Sequence, residues 1–176
     1  MKDSKLNVRS LRVRPVVAPM RLPLQTSTGA VSIAPLVLLD LETTAGITGR
    51  AYLFAIGRNN LKAIVALCEA MGEMIKGDVV APFDIEKKLR QKHTLLGVHN
   101  IVLFAIAGID MAAWDAYSQS LAQPLVKVLG GTPRAVRAYN SKGLGIMPLQ
   151  PLPKEAEPLV TDGSSAVELR LRRPTA

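Results

Sequence analysis

Few side chains in this 176-residue sequence could act as a nucleophile, a general base or a metal ligand, so their spacing decides what they can do. Cys68 is the sole thiol, and it falls on the apolar stripe Leu61, Ile64, Val65, Cys68, Met71, Met74 and Ile75 with no basic residue placed beside it. A buried structural thiol follows from that pattern, not an activated one. The two histidines, His93 and His99, have no acidic companions at metal-ligand spacing and read as surface or capping residues. The carboxylates are dispersed along the chain, so the pattern places no three of them to make an octahedral oxygen site.

The elements that must position these groups can be read from periodicity. The dominant stretch runs from Asn100 to Gly131: Asn100 is an N-cap type, and no charge interrupts the chain until Asp110. Its small residues Ala105, Gly108, Ala112, Ala113 and Ala116 recur at three and four, which lays them on one side of a helix and lets a neighbouring backbone come close. Asp110 and Asp115 interrupt the run before the ~20 apolar residues that a bilayer requires, so a soluble core helix is expected and no membrane partner. Before it, Leu6–Val17, Val37–Leu41 and Thr48–Phe54 read as three strands of an antiparallel meander, with Pro15 and Pro19 confining the first to an edge or ending it. A polar loop, Thr26 to Ala30, lies between the first two strands. Helices are expected over Leu61–Ile75, ended by Gly77, and over Asp84–Leu95, with a helical turn at Leu125–Leu129.

Beyond Pro133 the character changes. Ala135–Tyr139 and Ala166–Leu171 read as short strands on either side of a proline-interrupted helix, Lys154–Thr161, which makes the start of a βα unit. Composition is globular, with 48% hydrophobic and 20% charged residues, and only 4% aromatic residues, so the core must be aliphatic. The net charge of +8 is scattered, and no zinc-finger spacing or aromatic-rich RNA motif accompanies it, so nucleic acid is not an expected partner. A lone cysteine and an N-terminus without a secretory apolar run make the cytoplasm the expected compartment.

The order Ala105-x-Ala107-Gly108-Ile109-Asp110-x-Ala112-Ala113-x-Asp115-Ala116, followed by Gln119, Pro124-Leu125 and Leu129-Gly130-Gly131, resembles the N-terminal signature of the mandelate racemase and muconate lactonizing enzyme group of the enolase superfamily. Thr26 through Val31, Ala34-Pro35-Leu36-Val37 and Ala51-Tyr52-Leu53-Phe54 extend the resemblance, which covers the chain from about Val8 to Arg172. It implies an α+β fold: an enolase-like N-terminal cap over residues 1–131, then an incomplete (β/α) barrel over 132–176. It also implies Mg2+, which in such enzymes steadies the enolate formed when a base removes the proton beside a substrate carboxylate. The family's metal ligands come from the third, fourth and fifth barrel strands, so none is expected here, and an eight-stranded barrel takes roughly 250 residues.

The resemblance further implies a substrate-facing role for Thr26, Thr28, Gly29, Val31 and Tyr52 in the cap. Ser141 matches a position that contacts the substrate carboxylate, although Asn140-Ser141 before Lys142-Gly143 is equally ordinary turn chemistry. The second barrel strand of the family carries a basic pair, and here those positions are Glu168 and Arg170. Glu168 reverses the charge of the first. Arg170 is a poor general base because it is always protonated, yet it can hold a carboxylate in bidentate fashion. The expected protein is therefore a truncated homologue of a racemase or acid-sugar dehydratase acting on a small 2-hydroxy carboxylate, inactive by itself. The alternative is a non-catalytic cap module for folding or subunit association, self-associating through the cap.

Overall fold

Alternation in Val37-Leu38-Leu39-Asp40-Leu41 sends Val37, Leu39 and Leu41 to one face, where all three are fully buried, and Leu38 and Asp40 to the other. The computed structural model describes residues 6–26, 29–141, 144, 150–161, 163 and 165–169. Strands β1 (Val8–Thr26), β2 (Gly29–Thr43) and β3 (Thr48–Phe54) form an antiparallel sheet in that order. Register pairs Val37 with Leu53, Leu39 with Ala51 and Leu41 with Gly49 on the inner face. It pairs Leu36 with Phe54, Leu38 with Tyr52 and Asp40 with Arg50 on the outer one.

Helices α1 (Leu61–Ile75), α2 (Pro82–Lys92) and α3 (Asn100–Ser120) follow, then the single turn α4 (Leu125–Val128) and α5 (Leu152–Thr161). The contacts divide the chain into two compact units, one of residues 1–17 with 35–133, the other of 18–34 with 134–176. In the first, α3 lies against β3 and touches both α1 and α2. Its small-residue side is the one expected from the spacing: Ala105, Gly108, Ala112, Ala113 and Ala116 are all buried. A Cβ on Gly49 would come within 1.9 Å of the Ala112 carbonyl oxygen, and one on Gly108 within 2.6 Å of Leu39 Cδ1. By length and composition α3 could cross a membrane, and here half of its most apolar window is buried.

Two further features tie the first unit together. Asp115 on α3 accepts the Arg50 backbone N–H at 2.7 Å and a Gln119 side-chain N–H at 2.8 Å, while Gln119 also donates to the Thr48 carbonyl. These bonds satisfy β3 on the edge that no strand covers among the described residues. The segment after α1 pairs with the start of β1, through Val8 N–H to Asp78 O and Val80 N–H to Leu6 O. Fully buried Leu39, Leu41, Met71, Ile85, Leu89, Ile106 and Ile109 each contribute about 1.5–3 kcal/mol. Exposed ion pairs such as Lys76–Glu73 contribute ~0–1 kcal/mol, so the aliphatic core carries the stability.

Several expectations are corrected. Strand β1 runs on through Pro15, Pro19 and Pro23 to Thr26, because at a sheet edge a proline can turn its missing N–H outward without breaking the ladder. Gly29 and Val31 belong to β2, which begins where the polar loop was expected to continue. Helix α2 ends at Lys92, and His93 is a buried C-cap whose Nδ1 lies 2.8 Å from the Leu89 carbonyl oxygen, while Leu95 and Leu96 take the solvent. Among the described residues, 135–139 and 166–169 form no strand ladder. A single parallel bridge joins Asn140 to Val167, with Asn140 N–H to Ala166 O and Glu168 N–H to Asn140 O. Two parallel segments with no further strand neighbour among the described residues make a marginal pair.

Replacing Gly49 by alanine is expected to destabilise the chain by about 3 kcal/mol, since the new methyl meets backbone. Gly108→Ala, which meets leucine side-chain ends that can shift, is expected to cost about 1–2 kcal/mol. Urea unfolding followed by circular dichroism measures both.

Candidate functional site

Residues expected to face a substrate come from three places. At the hairpin tip, Thr26 is the last residue of β1, and Thr28 lies outside the described residues. Gly29 opens β2 at φ +125, a backbone conformation in which a side chain is strained although the space around it is open. Val31 follows, half-buried. Tyr52 is exposed on the outer face of β3.

Near the C-terminus, exposed Ser141 lines an open hollow of ≈ 600 Å³ with Asn140, Gly163 and Ser165. Glu168 lines a neighbouring hollow of ≈ 520 Å³ with Arg137 and Tyr139. Arg170 lies outside the described residues. Thr26, Gly29, Val31, Ser141 and Glu168 fall in one compact unit, whereas Tyr52 falls in the other.

The carboxylates do not gather. Among the described residues no three His, Cys, Asp or Glu side chains could share a metal ion. Several acids have other work: Glu42 accepts from the Ser10 hydroxyl, Asp78 from Lys88, Asp115 from β3, Glu155 from the Leu144 N–H, and Glu86 pairs with Arg90. Asp40, buried on the outer sheet face, accepts from Arg12 at 2.8 Å and Arg14 at 2.9 Å, with Arg50 at 3.7 Å. This donor set does not fit the magnesium ion that the family resemblance implies. The Asp40 cluster and the Asp115–β3 bonds were not read from the sequence; the one available signal was arginine at alternate positions, 12 and 14, of an edge strand.

Two titratable groups are shifted. Burial first, and Glu69 second, push the Cys68 thiol up to about 12, so at neutral pH it holds its proton and has no thiolate to react. Asp110 is raised by burial and by Glu86, against the lowering effect of a Trp114 hydrogen bond. A carboxyl raised on folding favours the fold while protonated, and that contribution disappears as pH climbs through the raised value. Asp110→Asn is therefore expected to raise the unfolding free energy at pH 7 and to change it little at pH 3, as measured by urea titration at the two pH values. Iodoacetamide at pH 8 is expected to modify Cys68 only at the rate of unfolding; rapid labelling of the native chain, read by mass spectrometry, would contradict its burial.

The same fold recurs in known proteins. An enolase from alpha proteobacterium BAL199, crystallised with bound magnesium, superposes with a TM-score of 0.90 at 34% identity, over 97% of this chain and 48% of that one. An enolase from Bradyrhizobium, complexed with magnesium and mandelic acid, does so with a TM-score of 0.81 at 35% identity, over 93% and 44%. In sequence, an arabinonate dehydratase from Saccharolobus solfataricus is 27% identical over 108 residues, which is 61% of this chain and 29% of the relative. L-talarate/galactarate dehydratase from Salmonella typhimurium is 25% identical over 144 residues, or 79% and 35%. The chain thus spans about a third of these curated relatives and just under half of the solved chains. Residues 8–130 match the mandelate racemase / muconate lactonizing enzyme N-terminal domain, and the chain belongs to that family of the enolase superfamily.

Proposed function

We propose that this chain supplies the substrate-capping part of an enolase-superfamily enzyme that removes the proton beside the carboxylate of a 2-hydroxy acid, and that these 176 residues do not carry out that step unaided. In this reading residues 1–131 are the cap and 132–176 the beginning of a barrel. The observation that carries it is the 35% identity to the Bradyrhizobium enolase complexed with magnesium and mandelic acid; two acid-sugar dehydratases among the relatives point to the same substrate chemistry. Thr26, Thr28, Gly29, Val31 and Tyr52 would shape the substrate pocket, Ser141 would donate a hydrogen bond to the substrate carboxylate, and Arg170 would hold it in bidentate fashion. Glu168 would repel it.

The second half of the proposal rests on charge. Enolate formation next to a carboxylate needs a fixed cation to hold the developing charge, and magnesium supplies that in the family. Among the described residues no three carboxylates gather where they could share the ion. A second reading, a cap module that works in folding or association, is favoured by exposed Val79, Phe83 and Leu121 around a groove that Trp114 and Tyr117 also line.

Exchange of the α-proton for deuterium, followed by NMR with mandelate and several sugar acids in magnesium buffer, is expected to show no dependence on this chain. Protein-dependent exchange that EDTA abolishes would overturn the inactivity. Grafting residues 1–131 onto the barrel of the Bradyrhizobium relative is expected to restore exchange, with Tyr52→Ala raising KM by about tenfold. A folded graft that exchanges no acid would favour the association reading.

A further inference from the structure

The outer face of the sheet concentrates permanent positive charge that a single carboxylate does not balance. Arg12 and Arg14 each direct one N–H to the same Asp40 oxygen, Oδ2, at 2.8 and 2.9 Å, and Arg50 Nε stands 3.7 Å from Oδ1, beyond hydrogen-bond reach. Asp40 is sealed beneath them, its side chain 6% exposed, while the three arginine side chains are 57%, 50% and 73% exposed. Three guanidinium groups against one carboxylate leave an excess of two positive charges. Glu42, two residues along the same face, is held by the Ser10 hydroxyl, and counting it still leaves an excess of one.

The arrangement has the form of a half-filled anion site. A guanidinium has five N–H donors in a rigid fork suited to two parallel bonds to an oxyanion, and Arg12 and Arg14 each spend one of theirs on Asp40. Arginine cannot shed its proton to relieve the crowding of like charge. A buried carboxylate at the centre draws the three groups together and leaves their outer donors facing solvent, beside the exposed ring of Tyr52 at the next position on that face of β3.

We propose that Arg12, Arg14 and Arg50 form a binding site for the phosphate monoester group of a small molecule, seated over Asp40 on the outer face of the sheet. Geometry and charge together select the ligand: a phosphate monoester carries about −1.5 to −2 at neutral pH, against a local excess of one to two positive charges, and it offers three acceptor oxygens to three forks. A monocarboxylate offers only two acceptor oxygens to the three forks.

Titration of the full chain with glycerol phosphate, and separately with inorganic phosphate, can be followed by phosphorus NMR line broadening at constant ionic strength. Saturable binding of glycerol phosphate is expected, with inorganic phosphate competing for the same site. Arg50→Gln is the primary variant, because Arg50 makes no hydrogen bond to Asp40 and its loss leaves the Arg12 and Arg14 pairings in place. It is expected to weaken glycerol phosphate about tenfold with an unchanged circular dichroism spectrum, as is Arg14→Gln. Three results would each overturn the proposal: no saturation with the native chain, the same affinity in both variants, or binding of inorganic phosphate alone.

Discussion

Gly49 lies so close to the Ala112 carbonyl that no side chain fits between strand and helix, and the arrangement of the first compact unit follows from that approach. The approach needs small residues on both partners. Gly108, Ala112 and Ala116 provide them on α3, and Gly49 and Ala51 on the inner face of β3, while Leu39 and Leu53 close over Gly108 from the sheet. Once the backbones are this near, the Asp115 carboxylate can reach the Arg50 N–H, and the register of β3 is held by a polar bond as well as by packing.

That register then determines the outer face. With Gly49 turned to the helix, Arg50 and Tyr52 must face away from it, because neighbouring side chains in a strand point to opposite sides. Arg50 consequently sits opposite Asp40, where Arg12 and Arg14 already converge, and Tyr52 sits in the open opposite Leu38. The inner face is thus given to stability and the outer one to charge. The hairpin tip and the Asn140–Val167 bridge fall in the second unit, and Tyr52 in the first. A family whose members act on different acids can vary such a tip without disturbing the helix packing.

Much of the first unit was legible in the sequence because local periodicity determines it. Strand β3 occupies the expected residues, α1 starts and stops where Leu61 and Ile75 predicted, and the small-residue spacing marked the side of α3 that the sheet covers. Cys68 was recognisable as structural from its place on an apolar stripe. What failed depended on partners distant in the chain. Whether Pro15, Pro19 and Pro23 end a strand depends on which way each nitrogen faces, and only the sheet order decides that. Arg12 and Arg14 meet Asp40 across 28 and 26 residues, a meeting set by cross-strand register. His93, read as a surface or capping residue, does cap α2, but its burial was not legible, because the ring folds back onto the last turn of the helix. The segments 135–139 and 166–169 have strand-like composition, yet a ladder also needs neighbours to pair with.

If the contact between β3 and α3 organises the unit, their protection against solvent must rise and fall together. Native-state amide hydrogen exchange on the intact chain measures this directly, with the Arg50 amide as reporter of the Asp115 bond and the Ile106 to Ala116 amides as reporters of the helix. The account predicts that these are the slowest-exchanging amides of the first unit and that they share one opening free energy equal to that of global unfolding. Exchange at Arg50 that is markedly faster than along α3, with the helix still protected, would show that strand and helix open independently and would contradict it.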